Sequence, residues 1–203
     1  MVTTKVTKVV YDKTIGITNN SPLGRGFAHP VDMTIVKDNF YVLNKHPVHA
    51  RVGVCNYQED YLNEFGTYGH GEGQFWLPTG ISSNLNGQIF VCDEHHNNIS
   101  KFEADGTFIS SWGEFGSDSG QLDGPSGITI DNENNVFIVD QNNNRIQKFD
   151  SNGTFINEWG NKGKSEGEFI LPWGISIGLD GFLYIADWGN DRIQKFDSNG
   201  TFV

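Results

Sequence analysis

The feature that most constrains this chain is a segment of eleven residues that occurs twice. The sequence RIQKFDSNGTF occupies residues 145–155 and returns unchanged at residues 192–202, which is 47 residues later. The similarity extends backwards from both copies, so that Pro125 corresponds to Pro172. Self-similarity at a fixed period is the signature of a repeat architecture, and it has to be interpreted before any local feature.

Two further copies of the unit precede this pair. One keeps Pro78, Asp93 and Trp112 at the same spacing, and a more divergent copy runs through residues 30–65. The N-terminal segment, residues 1–20, does not start a unit. We therefore predict a single domain with units at residues 21–66, 67–113, 114–160 and 161–203, of which the last is incomplete.

Each unit is predicted to form four short antiparallel β-strands. Apolar and β-branched runs alternate with turn-forming residues, and no helix is required. In the third unit the runs are residues 127–130, 135–140, 145–150 and 154–159. The second run, which contains VFIVD, is apolar on both faces, and this pattern indicates a sheet that is covered on both sides. Four-stranded units that need neighbours to cover their faces predict an all-β fold, a β-propeller in which each unit is one blade.

The units also resemble the NHL repeat. Residues 73–113, GQFWLPTGISSNLNGQIFVCDEHHNNISKFEADGTFISSWG, show the shared features: Pro-x-Gly, an Asp ending the second strand, Lys-Phe, and a final Trp-Gly. The resemblance covers roughly residues 24–203. It implies a propeller that typically has six blades when complete and that binds protein or RNA. Similar six-bladed rings occur in peptide-amidating lyases and calcium-dependent lactonases, so the fold does not imply one function.

Compared with the six blades that the resemblance implies, the chain is about two blades short. Residues 1–20 resemble the outer half of a unit, and we expect them to close the ring as outer strands; a frayed tail is the alternative. The chain is then a fragment, or a part that finds its missing blades in another chain, whereas a closed four-bladed ring is the alternative. Because an open ring leaves a blade face uncovered, we expect self-association.

Composition and charge limit the partners. The chain has 203 residues and a formal net charge of −11, so its surface repels phosphate backbones and we expect no nucleic-acid partner. No segment has the apolar length of a signal peptide or a membrane span, and we expect a cytoplasmic protein without membrane contact. Cys55 and Cys92 lie in different units, which favours buried thiols over a disulfide.

A strand-end aspartate recurs in the three regular units as Asp93, Asp140 and Asp187. Since residues present in every copy belong to the scaffold, we expect each carboxylate to accept hydrogen bonds from the backbone amides of the turn that follows it. The alternative is that the three carboxylates surround the channel and hold calcium, which prefers six to eight oxygen ligands.

Residues that break the repeat are candidates for function. They concentrate after the second strand of a unit, where the first unit has two additional residues, and loop insertions in one repeat tend to mark a binding face. Another departure from the repeat is Trp173, the middle residue of the Pro-x-Gly motif. The residues at this position, Val31, Thr79, Ser126 and Trp173, are expected to face the mouth of the central channel. The predicted contacts are His46, His49, His95, His96, Trp173 and Trp188.

These residues favour a noncatalytic scaffold that binds a protein or small-molecule ligand through one rim, without a cofactor and without catalytic residues. The chain has no nucleophile motif, phosphate loop or Cys-x-x-Cys. The alternative is a metal-dependent hydrolase or lyase with a divalent metal in the channel. In the lyases that the fold resembles, zinc-binding histidines follow the motif proline, a position without histidine here, so such a site needs ligands from other blades. A further alternative is that the histidines are solvated loop residues and both Trp side chains pack against the scaffold.

Overall fold

The computed structural model of the protein describes residues 26–203. The predicted closing segment, residues 1–20, lies outside the described residues. Within the described part, fifteen strands form four antiparallel sheets in sequence order. The strands of blades 1 and 2 are β1 (Pro30–Val36), β2 (Asn39–Asn44), β3 (Arg51–Asn56), β4 (Tyr61–Phe65), β5 (Pro78–Ser83), β6 (Ile89–Asp93), β7 (Asn98–Phe102) and β8 (Phe108–Trp112).

Blade 3 has four strands and blade 4 has three. The strands are β9 (Pro125–Ile130), β10 (Val136–Asp140), β11 (Arg145–Phe149), β12 (Phe155–Trp159), β13 (Ile175–Ile177), β14 (Leu183–Asp187) and β15 (Arg192–Phe196). A single turn of 3₁₀ helix, Trp188–Asn190, joins β14 to β15, and an isolated bridge links Phe196 to Phe202. Among residues 26–203, no helix is long and apolar enough to cross a bilayer.

The hydrophobic core is divided into layers between adjacent blades. Inner strands pack in succession, β1 on β5, β5 on β9 and β9 on β13. The second strands β6 and β10 are buried along their whole length, whereas β14 alternates between buried and half-buried residues. The prediction that both faces of VFIVD are covered is therefore confirmed, because β10 lies between blades 2 and 4.

The contact between inner strands of neighbouring blades accounts for the residues of the Pro-x-Gly motif. A Cβ atom on Gly127 would lie 2.7 Å from the carbonyl oxygen of Trp173 in the next blade, so only glycine fits. The hydroxyl of Ser126 donates to that same carbonyl at 2.9 Å, and the hydroxyl of Thr79 donates to the carbonyl of Pro125 at 2.7 Å. The prediction that Thr79 and Ser126 face the channel mouth is wrong, because both are buried and bridge neighbouring blades.

The hairpin glycine and the final tryptophan of the repeat are also partners across blades. Gly153 turns between β11 and β12 with φ of +86°, and a Cβ atom there would lie 2.4 Å from the indole of Trp112 in the preceding blade. The glycine thus provides both a left-handed backbone and the space that the ring fills. This contact accounts for the occurrence of Trp-Gly and of the Gly-Thr turn in successive units.

The strand-end aspartates are part of the scaffold, but the predicted bonds from backbone amides of the following turn occur at Asp93 and not at Asp140 or Asp187. At Asp140 and Asp187 that turn supplies the side chains of Asn143 and Asn190 instead. Asp140 is fully buried, and its carboxylate accepts from the amide of Asp123 at 2.7 Å and from Gln147 Nε2 at 2.9 Å. Arg145 Nε completes the set with a salt bridge of 2.7 Å. Because donors from the same blade occupy the carboxylate, it belongs to the scaffold. Cys55 and Cys92 are buried free thiols, as the sequence predicts.

Candidate functional site

One rim of the molecule gathers the residues that break the repeat. The loops between second and third strands lie there, and the connections between blades return to it because each inner strand begins beside the end of the second strand, as Pro78 pairs with Asp93. We call this surface the histidine rim and define it by residues 29, 45–50, 66–77, 94–97, 113–124, 141–144, 160–174 and 188–191. All six histidines of the chain lie on it: His29, His46, His49, His70, His95 and His96.

Three imidazoles of blade 1 form a row on this rim. The rings of His29 and His46 stack at 5.2 Å between centroids, and those of His46 and His49 stack at 4.7 Å. The loss of water around His46, followed by the charges of His49, His29 and Arg51, lowers the pKa of His46 below its ordinary value of 6.5. The two-residue insertion therefore builds a stack whose central ring resists protonation.

Blade 2 carries a second group, the aromatic cluster, defined by Tyr68, His70, Trp76, His95 and His96. Trp76 is its centre: His70 stacks on the indole at 4.3 Å, His95 stacks at 5.3 Å, and the ring of Tyr68 lies at 4.4 Å. The cluster joins two segments distant in sequence, because the β4–β5 connection supplies the first three residues and the β6–β7 loop the two histidines.

Asp93 holds these two segments together. Its buried carboxylate accepts from the amide of Trp76 at 2.6 Å on one side, and from the amides of His95 and His96 at 3.0 and 3.1 Å on the other. Blades 3 and 4 place an arginine beside this carboxylate, but blade 2 has Asn98 at that position. In blade 2 the imidazole of His96 lies beside it instead, with Nδ1 3.4 Å from Asp93 Oδ2.

A hydrogen bond between two imidazoles closes the cluster. His70 Nδ1 and His96 Nε2 lie 3.0 Å apart. One ring nitrogen donates in such a bond and the other accepts. The bond adds to the contacts of Asp93 in joining the β4–β5 connection to the β6–β7 loop.

A cleft separates the histidine stack from the aromatic cluster. Its volume is about 390 Å³, and its wall includes His49 from blade 1 and Tyr68 from the aromatic cluster. Arg51 and Glu64 line the same cleft, with Arg51 Nε 3.3 Å from Glu64 Oε2. Lys45 Nζ and Glu94 Oε1 form a salt bridge of 2.8 Å between the β2–β3 and β6–β7 loops. Blades 1 and 2 therefore share a surface that has stacked rings, side chains of both positive and negative charge, and a cleft.

Both predicted tryptophans lie on the rim between blades 3 and 4. Trp173 is 46% exposed and Trp188 is 65% exposed, and with Gln141 they line a second cleft of about 440 Å³. In the alternative, both rings pack against the scaffold and leave no exposed surface. Here each ring keeps about half of its surface or more in contact with solvent.

The predicted residues thus lie in three places. His46 and His49 belong to the histidine stack, His95 and His96 to the aromatic cluster, and the tryptophans to the second cleft. The sequence alone predicts no role for His29 or for the connection that carries His70 and Trp76. A signal was present, because the third unit has Ser117 and Asp123 at the positions of His70 and Trp76.

Within residues 26–203, no group of three or more His, Cys, Asp or Glu side chains is arranged to hold a metal ion. The imidazoles of blade 1 stack on one another, and His70 and His96 of blade 2 share a hydrogen bond.

The four sheets, packed face to face with their inner strands side by side, make the protein a β-propeller. The family model described as NHL repeat matches residues 122–149 and 169–196, which span the central strands of blades 3 and 4. Blades 3 and 4 therefore match the NHL repeat within a β-propeller fold. No curated protein sequence matches the chain.

Solved structures share the fold at low sequence identity. A catalytically inactive virginiamycin B lyase from Staphylococcus aureus with quinupristin has a TM-score of 0.67 and 18% identity, over 93% of this chain and 57% of the lyase. A chain of a nidogen/laminin complex has a TM-score of 0.66 and 20% identity, over 84% of this chain and 60% of its own. Hydrazine synthase from Kuenenia stuttgartiensis has a TM-score of 0.66 and 15% identity, over 93% and 51%. The chain spans less than two thirds of each.

Proposed function

We propose that this chain is a noncatalytic binding scaffold that takes a protein or small-molecule ligand through the histidine rim, at the cleft between blades 1 and 2. The observation that carries the proposal is the gathering of all six histidines on this rim, where His49 lines the cleft. Residues that vary between repeats have no common scaffold role, and here they all lie on one rim.

The chemistry of the rim supports recognition. Ligand sites are concave and aromatic, with a few polar groups that fix orientation, and the cleft combines the rings of His49 and Tyr68 with Arg51 and Glu64. Interfaces are enriched in Trp, Tyr and Arg at their centres. Trp173 and Trp188 supply a second exposed aromatic surface on the same rim, which a larger partner contacts together with the cleft.

The alternative of a metal-dependent hydrolase or lyase stays open as an outcome of the test. The solved relatives include both a lyase and a protein–protein complex, so this fold accommodates either class. No observation on the described residues favours a particular reaction.

The test uses a displayed library of random peptides with the immobilised chain. We expect the chain to retain a set of peptides, and the double variant His49→Ala/Tyr68→Ala to lose it. The matched control is Leu62→Ala/Ile109→Ala, which removes exposed apolar side chains from outer strands away from the rim. Retention of the same peptides by the rim variant would refute the binding rim.

Elemental analysis of the dialysed protein separates the two classes. A stoichiometric divalent ion that survives dialysis supports the metal-dependent alternative and contradicts the noncatalytic scaffold. We expect none at stoichiometric level.

A further inference from the structure

In blades 3 and 4 an asparagine joins the end of the second strand to the connection that precedes the blade. Asn143 donates to the Asp140 carboxylate at 2.9 Å and to the carbonyl of Gly116 at 2.8 Å. Asn190 makes the same two contacts in blade 4. One side-chain amide is therefore enough for this part of the scaffold.

Blade 2 replaces this contact by a pair of imidazoles. His96 stands at the position of Asn143, and His70 stands at the position of Ser117. His96 directs Nδ1 towards Asp93 Oδ2, 3.4 Å away, and Nε2 towards His70 Nδ1, 3.0 Å away. Since asparagine and serine serve the scaffold in blade 3, the scaffold does not require two histidines here.

The two imidazole nitrogens have the separation of ligands to one metal ion. A tetrahedral ion bound about 2.0–2.1 Å from each of two nitrogens separates them by about 3.3 Å. His70 Nδ1 and His96 Nε2 are therefore within a small displacement of that geometry. A metal-binding histidine almost always donates its other ring N–H to a carboxylate or a carbonyl, which fixes the tautomer and leaves the lone pair to the metal. Asp93 has this position beside Nδ1 of His96.

Both rings are held in place by the surrounding residues. Asp93 is 1% exposed, and its carboxylate accepts from backbone amides on two sides, from Trp76 on one and from His95 and His96 on the other. The indole of Trp76 stacks on the ring of His70 at 4.3 Å. A ligand pair that is oriented before the ion binds loses less entropy in the binding step.

We infer that His70 Nδ1 and His96 Nε2 bind one divalent transition-metal ion of the kind that prefers imidazole, such as Cu²⁺, Ni²⁺ or Zn²⁺. The ion takes the place of the hydrogen that the two nitrogens share, and neutral His70 then carries its proton on Nε2. Asp93 does not coordinate the ion but accepts from His96 Nδ1. The remaining coordination positions are filled by water or by a donor atom of a bound partner.

This inference goes beyond the binding role of the rim and does not depend on it. Within residues 26–203 no three side chains are arranged around an ion, so the site has two protein ligands instead of the three or four of catalytic and structural zinc sites. Such a site exchanges its ion, and dialysis is expected to empty it. The ion is titrated without a peptide, so a negative result here leaves the peptide selection unaffected.

The test is a calorimetric titration of the complete chain with Cu²⁺ alone. We expect one ion per chain at the pair, and we expect His70→Ser/His96→Asn to weaken its binding by about tenfold or more because both ligands are lost. This double variant has the residues of blade 3 at these positions, so the asparagine can replace the scaffold contact. Circular dichroism and thermal unfolding confirm that the variant is folded. The matched control is His46→Asn, which removes a stacked imidazole from the same rim and is expected to leave the site unchanged.

Fluorescence locates the bound ion. Cu²⁺ quenches nearby indoles, and Trp76 stacks on one of the two ligand rings. We expect Trp76→Phe to retain the calorimetric binding and to lose most of the quenching that accompanies it. Quenching that persists at full amplitude in this variant would place the ion elsewhere and contradict the inference.

Three calorimetric results would also overturn it. The first is a wild-type chain without a saturable site for Cu²⁺. The second is binding by the double variant with the affinity of the wild type. The third is a loss of binding in His46→Asn as large as that in the double variant, which would place the ion on the histidine stack of blade 1.

Discussion

At the scale of single residues, Gly153 joins two blades through the space that it leaves. Its φ is +86°, and the indole of Trp112 occupies the position where a Cβ atom would be. We predict that Gly153→Ala lowers the free energy of unfolding by about 2–5 kcal/mol, because backbone strain and a steric clash add. Urea unfolding of the purified variant measures this loss.

Gly167 is the matched control for that measurement. Its φ is +79°, and a Cβ atom there meets nothing within 4 Å. Gly167→Ala is expected to cost about 1–2 kcal/mol from backbone strain alone. Equal losses in the two variants would show that the contact with Trp112 contributes nothing.

His46 makes stability depend on pH. Its folded-state pKa lies below the ordinary value of 6.5, so as pH falls the unfolded chain binds the proton first. The free energy of unfolding is therefore expected to decrease as pH falls from 6.5 towards the folded-state pKa of His46. Above pH 6.5 His46 contributes no pH dependence. The prediction is checked by the free energy of unfolding between pH 8 and pH 5 for the wild type and for His46→Gln. A slope that is the same in both proteins would contradict it.

At the scale of elements, a strand-end ion pair joins blade 3 and blade 4 each to the connection that precedes it. Arg145 bonds to buried Asp140 and to the carbonyls of Ser117, Asp118 and Gln121. We predict that Arg145→Met costs about 3–5 kcal/mol in urea unfolding, because it leaves a buried carboxylate without its cation. Arg192→Met, at the same position in blade 4, should cost less, since the Arg192 side chain is 29% exposed and water can replace it. The reverse order of losses would refute this reasoning.

The strands could be predicted closely from the sequence. In the third unit the predicted runs 135–140 and 145–150 correspond to β10 and β11 within one residue at each end. The pattern is strong because each strand is short, lies between turn residues and recurs at a fixed spacing. Comparison between copies also separated scaffold residues such as Asp140 from the variable loops.

The aromatic cluster could not be predicted in the same way. Its residues His70 and Trp76 precede β5, whereas His95 and His96 follow β6, and the pattern of one strand does not show which connection returns to which loop. The error at Thr79 and Ser126 has a related cause. Their orientation depends on the distance between inner strands of neighbouring blades, a tertiary quantity that no local pattern encodes.

At the scale of the whole molecule, stability is a sum over blades and the contacts between them, as in other repeat proteins. Strand β10 is covered on both faces, whereas among residues 26–203 only the face of β14 towards blade 3 is covered. We predict slower amide exchange in β10 than in β14, by at least tenfold under conditions where the chain is dilute. Hydrogen exchange followed by mass spectrometry gives the comparison, and equal protection of the two strands would contradict it.

The number and order of the blades followed from the sequence because the period is a property of the whole chain. Whether the ring of blades closes could not be predicted from the sequence, because closure depends on the rotation from one blade to the next.

The duplicated segment, residues 145–155 and 192–202, also has a consequence for the kinetics of refolding. The same side chains that fit β11 into blade 3 fit β15 into blade 4, so a refolding chain has two nearly equivalent places for either hairpin. A hairpin from another molecule competes for both. Exchange of identical elements is a characteristic failure of repeat proteins, and it becomes more frequent as the unfolded chain becomes more concentrated. The yield of correctly assembled propeller is thus set in the first moments after dilution, before the blades have made the contacts that distinguish one from another.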